Sequence, residues 1–357
     1  MSARRKTLGL GGMQRINWID WAKAIAVCGV VFCHLPQSQE WYYYRFLQAT
    51  IISVFFWISG YLKKDGGKLR ENWKKYWNGL IFPYIIYNVV VYPYWLLRSY
   101  VVNSGMPDWY HAFRPIYGAL LLEHENAFCE PLNGPLWYLP AILIIHIITD
   151  LCSKCHHRSI ILTLICIASI FLYAVNNRNL YMPNLTPIGI LRGIPIYYMG
   201  YTMRNWQKFR SLNAKRDLTL SFILMIMAIV AFQWHMATFL SGDFIMHISL
   251  FFPINFFFVL SVIYGCKALN PWRLKVIINI SVGTLVIIGL HFPLISFINY
   301  IFEKKLCIEG VICYHWYSAI PISLLIVATL YPIIIFGRKH YPSLLGKKSS
   351  KIWLFHR

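Results

Sequence analysis

One apolar stretch of the chain carries three ionisable side chains: Asp20 and Lys23 within Trp18-Ile19-Asp20-Trp21-Ala22-Lys23, and His34 eleven residues beyond the lysine. At 100° per residue, Lys23 and His34 stand about 20° apart around a helix axis and about 16 Å apart along it, and Asp20 lies within about 60° of Lys23. One face of one helix therefore presents a carboxylate, an amine and an imidazole. Asp20 and Lys23 are spaced to pair, which equally suits a structural ion pair at a helix end or a snorkelling lysine. His34 titrates near neutrality, so in a poorly hydrated pocket it is a good general base, the plainer alternative being a hydrogen bond between helices. Arg192, about five residues from the outer end of its own apolar run, and His291, just before Phe292-Pro293, fall at matching depth. An arginine inside a membrane needs a partner or a wet cavity and points to function by default.

The elements that must position these groups follow from composition. Of 357 residues, 58% are hydrophobic and only 13% charged, outside the balance of a soluble domain. Runs long enough to span a bilayer as helices fall near 18–35, 46–62, 78–97, 136–152, 159–175, 187–203, 218–233, 243–264, 276–300 and 318–337. The expected fold is all-α: one integral membrane domain over 1–357 with about ten transmembrane helices. The first run follows basic residues but lacks a small-residue cleavage site after it, so it reads as a retained helix. The connection 98–135, with its Pro107-Asp108-Trp109 turn, is too short for a core of its own and reads as a lid or substrate-facing loop.

The net charge of +21 does not signal nucleic acid, because the cations alternate with apolar runs rather than forming a patch beside stacking aromatics. With the N-terminus inside, twenty-six Lys/Arg fall in inner segments and six in outer loops. The positive-inside rule then places both termini in the cytoplasm. Cys152-Ser153-Lys154-Cys155-His156 matches a haem-attachment spacing, but an inner loop is the wrong compartment for it, and no metal site is expected. Cys307 and Cys313 share an outer loop and are able to pair.

Several phrases, in order, resemble the membrane-bound acyltransferase family 3, and within it the fucose 4-O-acetylase-like branch. The opening WIDWAKAIAVCGVVFCH is similar to that family's first helix, with its Asp, its basic residue and a His eleven positions on; Lys23 stands where the basic residue is usually arginine. FFWISGYL, LIFPY, GPLWYLPAIL, LRGIPIYYMGY and ISVGTLVIIGLHFPL resemble later family segments, so the likeness spans nearly the whole chain. One departure is the family's paired arginines before the third-span proline: Tyr76 and Gly79 stand near those positions, and Arg70, Lys74 and Lys75 lie upstream.

The resemblance implies a multi-pass protein of the bacterial cell (inner) membrane that moves a short acyl group from cytoplasmic acetyl-CoA, or a similar acyl-CoA, to a sugar hydroxyl. The acceptor is a cell-envelope polysaccharide or its lipid-linked precursor, the lipid bilayer is the solvent, and no cofactor is permanently bound. On this reading His34 is the base, Asp20 and Lys23 order the donor side, Arg192 and His291 orient the acceptor or stabilise charge, and Lys23, Arg70, Lys74 and Lys75 meet the coenzyme. Direct transfer and a transient acyl-histidine are both open. The rival is a secondary transporter or flippase, which commonly carries mid-membrane carboxylates, whereas Asp20 and Asp150 sit near the inner ends of their runs.

Overall fold

The computed structural model describes residues 15–38, 40–64, 69–103, 105–123, 128–178, 185–241, 244–305 and 313–346. Among them helix is the only regular structure. In hydrocarbon every backbone N–H and C=O must be satisfied without water, and a helix does so within its own segment. In chain order the helices are α1 (Asn17–His34), α2 (Tyr42–Thr50), α3 (Ser53–Leu62), α4 (Leu69–Tyr76), α5 (Phe82–Asn103), α6 (Trp109–Leu120), α7 (Tyr138–Cys152) and α8 (Arg158–Arg178). They continue as α9 (Leu185–Met203), α10 (Gln207–Arg210), α11 (Ala214–Ser241), α12 (Phe244–Ala268), α13 (Lys275–Val282), α14 (Thr284–Lys305) and α15 (Trp316–His340). A π turn over Trp77–Ile81 joins α4 to α5, and a 3-10 turn over Gly134–Trp137 leads into α7.

Among the described residues eight helical runs are long and apolar enough to cross a membrane: Tyr42–Leu62, Glu71–Val101, Gly134–Cys152, Arg158–Val175, Ala214–Met236, Leu250–Ala268, Thr284–Glu303 and Trp316–His340. Each coincides with a run expected from the sequence. The other two expected runs are present as α1 and α9 but do not reach the same hydropathy. They are the two that carry Asp20, Lys23, His34 and Arg192. Lipid is not the main solvent of α1: Trp18, Asp20, Ala22, Val27 and Val31 are buried, and the helix packs against α3, α12, α13, α14 and α15.

Two boundaries differ from the sequence reading. The connection 98–135 holds the amphipathic helix α6, because Asp108 caps its first turn by accepting from the His111 backbone N–H at 2.8 Å. The run 276–300 is two helices, α13 and α14, parted at Gly283. Cys307 lies outside the described residues, and with it the expected pairing to Cys313.

A tight joint lies between α3 and α9. A methyl group placed on Gly60 would stand 1.9 Å from the carbonyl oxygen of Tyr197, and one on Gly200 would stand 2.1 Å from that of Trp57. The two backbones therefore touch, as small residues allow between membrane helices. This contact sets Ser59 and Phe56 of α3 at a fixed height against Arg192 of α9.

Candidate active site

α1 carries its polar face between two cavities. The one towards the N-terminal end of α1, called inner for that end, about 580 Å³, is lined by Arg15, Asp20, Lys23, Ser59, Tyr138 and His146 together with Ser281 and Thr284. The outer one, about 270 Å³, is lined by His34, Gln48, Ser53, Phe56, Trp137 and Arg192 together with Phe251 and Ile288. On α14 the inner cavity reaches Leu285 and the outer one Ile288, three residues or about 4.5 Å further along the helix. The wall between them is thus about one helical turn thick.

Asp20 is held from two sides: Arg15 donates to both its oxygens at 2.5 and 2.8 Å, and Ser281 Oγ donates to Oδ1 at 2.6 Å. The pairing with Lys23 that the spacing allows is therefore taken by Arg15, whose planar fork matches a carboxylate better than an ammonium does. Lys23 remains on the cavity wall close to this cluster.

At the outer end His34 and His291 meet edge to face, ring centroids 4.8 Å apart. His34 Nδ1 lies 2.8 Å from the carbonyl oxygen of Val30, and His291 Nδ1 lies 2.8 Å from that of Ile287 and 3.1 Å from that of Ile288. A carbonyl only accepts, so in both rings Nδ1 carries the proton and Nε2 carries the lone pair. His291 is fully buried, and its Nε2 has no hydrogen-bond partner among the described residues. Arg192 donates to Tyr173 Oη at 3.1 Å and lies over the rings of Tyr173 and Phe251 at 5.1 and 5.0 Å, while its buried Nε has no hydrogen-bond partner among the described residues. Aromatic faces thus offset part of the cost of burying this cation.

Of the residues singled out in the sequence, Asp20 and Lys23 share the inner cavity, His34 and Arg192 share the outer one, and His291 touches His34. Lys74 and Lys75 are exposed on α4 and line neither cavity, and Lys75 donates to Asn72 Oδ1 at 3.2 Å. Arg70 also lies on α4, with its side chain outside the described residues.

The sequence did not single out the network beside the inner cavity. Lys63 and Asp150 form a buried ion pair, Tyr76 Oη donates to Asp150 at 2.5 Å, and Asn72 Nδ2 donates to it at 3.1 Å. Tyr76 stacks on His146, centroids 5.4 Å apart, and His146 Nδ1 lies 3.0 Å from Tyr197 Oη. Lys63 and Asp150 each sit at the end of an apolar run, where a charge reads as a solvated flank. No short-range signal marks them as partners. Ser59 Oγ and Tyr138 Oη, 3.0 Å apart, complete the polar lining between the two ends.

A polytopic all-α membrane protein with a polar helix running between two cavities defines the class. A family model described as an acyltransferase domain matches residues 16–338, and the chain belongs to that family, the acyltransferase family 3. The match takes in the whole lining of the outer cavity and all of the inner one except Arg15, Leu345 and Gly346. No curated protein and no solved structure matches the chain.

Proposed function

We propose that this membrane acyltransferase is an O-acetyltransferase that takes its acyl group from cytoplasmic acyl-CoA and delivers it to a hydroxyl of an envelope sugar or its lipid-linked precursor, as in the fucose 4-O-acetylase-like branch. The observation that carries the reading is the pair of cavities flanking α1, one reaching Lys23 and the other His34, which approach within about one helical turn of each other at α14. A thioester arriving from the side of the N-terminal end of α1 and a hydroxyl arriving from the opposite end need cross only that turn. The charge count supports the orientation.

The chemistry follows from the atoms. The acceptor hydroxyl lies against His34 Nε2 and gives up its proton there as its oxygen attacks the thioester carbonyl. The tetrahedral intermediate collapses by breaking the carbon–sulfur bond, and the imidazolium returns its proton to the departing thiolate. Arg192 holds positive charge in the same cavity, where negative charge develops on the carbonyl oxygen. His291 packs against the His34 ring and restricts its orientation. Phe56 and Trp137 offer apolar faces to a sugar ring beside the polar Gln48 and Ser53.

The test is release of free coenzyme A from acetyl-CoA by the purified protein in nanodiscs with envelope glycans as acceptors. Turnover in the wild type, with loss of about 10²-fold or more in a well-folded His34→Ala variant, is the expected result. Full turnover by that variant overturns the assignment of the base. No turnover with any glycan acceptor overturns the reaction.

A further inference from the structure

A third cavity, about 460 Å³, lies beside the inner one and is lined by five cations: Arg15, Lys64, Arg204, Arg210 and Arg273. Among the described residues no carboxylate lines it. Positive-inside topology asks only that inner loops carry cations. It does not ask that the turn before α1, the end of α3, the loop before α10, α10 itself and the turn before α13 aim them into one cleft. Arg15 is already paired with Asp20; the other four like charges brought together this way repel, and the arrangement concentrates anions.

The cations are held rather than left on loose tails. Asn17 Nδ2 donates to the carbonyls of Asn270 and Trp272 at 2.6 and 2.9 Å, and Trp21 Nε1 donates to Trp272 at 2.9 Å, so the turn carrying Arg273 is tied to α1. Arg210 Nε donates to the Arg204 carbonyl at 2.7 Å, and the Arg204 guanidinium donates to the Lys63 carbonyl. Trp18 and Tyr61, edge to face at 5.3 Å, form an aromatic wall of the cleft. Arg15, Ile16 and Leu62 line both this cleft and the cavity that reaches Lys23, so the two adjoin at these residues.

Several phosphate groups, an aromatic base and a slender arm leading away are the features such a cleft and its side passage accommodate. We propose that the cleft of Lys64, Arg204, Arg210 and Arg273 binds the phosphorylated nucleotide end of the acyl donor, with the arm passing Arg15 into the cavity of Lys23. This rests on the acyl-CoA reading above. It places the anchoring charge away from Lys74 and Lys75 of α4. An anionic lipid headgroup shares the phosphate chemistry and is separated from a nucleotide by experiment.

The ligand probe is 3′,5′-adenosine bisphosphate, titrated by calorimetry into wild-type protein in nanodiscs of neutral lipid and again in nanodiscs containing phosphatidylglycerol. The comparison proteins are Arg210→Gln/Arg273→Gln, Lys74→Gln/Lys75→Gln, and a control with exposed cations changed elsewhere, Lys154→Gln/Lys339→Gln. The wild type should bind in neutral lipid, more weakly as salt rises. The Arg210→Gln/Arg273→Gln protein should bind about 10-fold or more weaker. The KM for acetyl-CoA should rise in step, while the KM for S-acetylpantetheine, which lacks the nucleotide, moves far less. Equal weakening by the control, loss confined to the α4 pair, or bisphosphate binding untouched by the cleft variant each overturns the proposal. So does a cleft variant that loses only its retention by phosphatidylglycerol. Bisphosphate binding that depends on the cleft, with no coenzyme A released, leaves the nucleotide site standing and removes the transfer reaction; transfer that is indifferent to the cleft variant does the reverse.

Discussion

Glu123 lies in the loop after α6 with its side chain fully buried, in a backbone conformation of φ 60° that follows Leu122 at φ 62°. It accepts from the Asn133 backbone N–H and from Tyr84 Oη, both at 3.2 Å. Burial pushes its carboxyl up to about 7 from 4.5, and those hydrogen bonds only partly oppose the shift. The sign follows by linkage: the folded protein holds this proton more tightly than the unfolded chain does, so the associated stability is fully present below about pH 4.5 and is lost as pH rises through about 7. A gap of about 2.5 pK units corresponds to about 3 kcal/mol. Replacing Glu123 by Gln keeps the shape and removes the charge. The wild type in detergent should therefore lose about 3 kcal/mol, or several degrees of unfolding temperature, between about pH 5 and about pH 8 beyond any loss in Glu123→Gln. Unfolding followed by fluorescence at both pH values measures it. Equal pH slopes for the two proteins would refute the argument from burial.

Three further outcomes follow from the geometry. Asp150→Asn removes the buried Lys63–Asp150 ion pair and should destabilise by about 3–5 kcal/mol, while Lys63→Met/Asp150→Leu should recover most of that in the same thermal assay. Gly60→Ala forces a methyl into the Tyr197 carbonyl and should cost about 1–3 kcal/mol or prevent accumulation of folded protein, read by size exclusion and thermal unfolding, whereas Ser59→Ala beside it should fold normally. Lys23→Arg should retain more coenzyme A release than Lys23→Ala, because a cation stays on the wall of the cavity proposed for the donor; equal activities would remove Lys23 from the donor side.

The sequence made the polar stripe of α1 legible because helical periodicity alone puts Asp20, Lys23 and His34 on one face. Depth counting then carried Arg192 to the cavity of His34 and His291 to its ring. Partnerships made across the bundle were not legible. Arg15 precedes the first apolar run and reads as a topological charge, yet it outcompetes Lys23 for Asp20. Lys63 and Asp150 are eighty-seven residues apart and meet only because α3, α4 and α7 converge. Arg204, Arg210 and Arg273 were visible only as loop charge, since no one-dimensional pattern reports that separate loops turn towards one hollow. Hydropathy also underrates α1 and α9, because it scores each helix as if lipid surrounded it, and these two carry ionisable groups into the bundle.

The break at Gly283 lets one pair of helices grip α1 at two levels: Ser281 of α13 at Asp20, and His291 of α14 at His34. The pair behaves as a caliper clamped along α1. Sliding α1 past it would part a hydrogen bond to a carboxylate at one jaw and a ring contact at the other, so the span between the two ends is set by the scaffold. A rocking carrier needs such elements to move past each other, whereas the proposed transfer would leave the frame still while the substrates travel. On the proposed acyl-CoA reading, the length of the acyl-bearing arm must then match a fixed gauge, and selectivity for the donor becomes partly a measurement of reach.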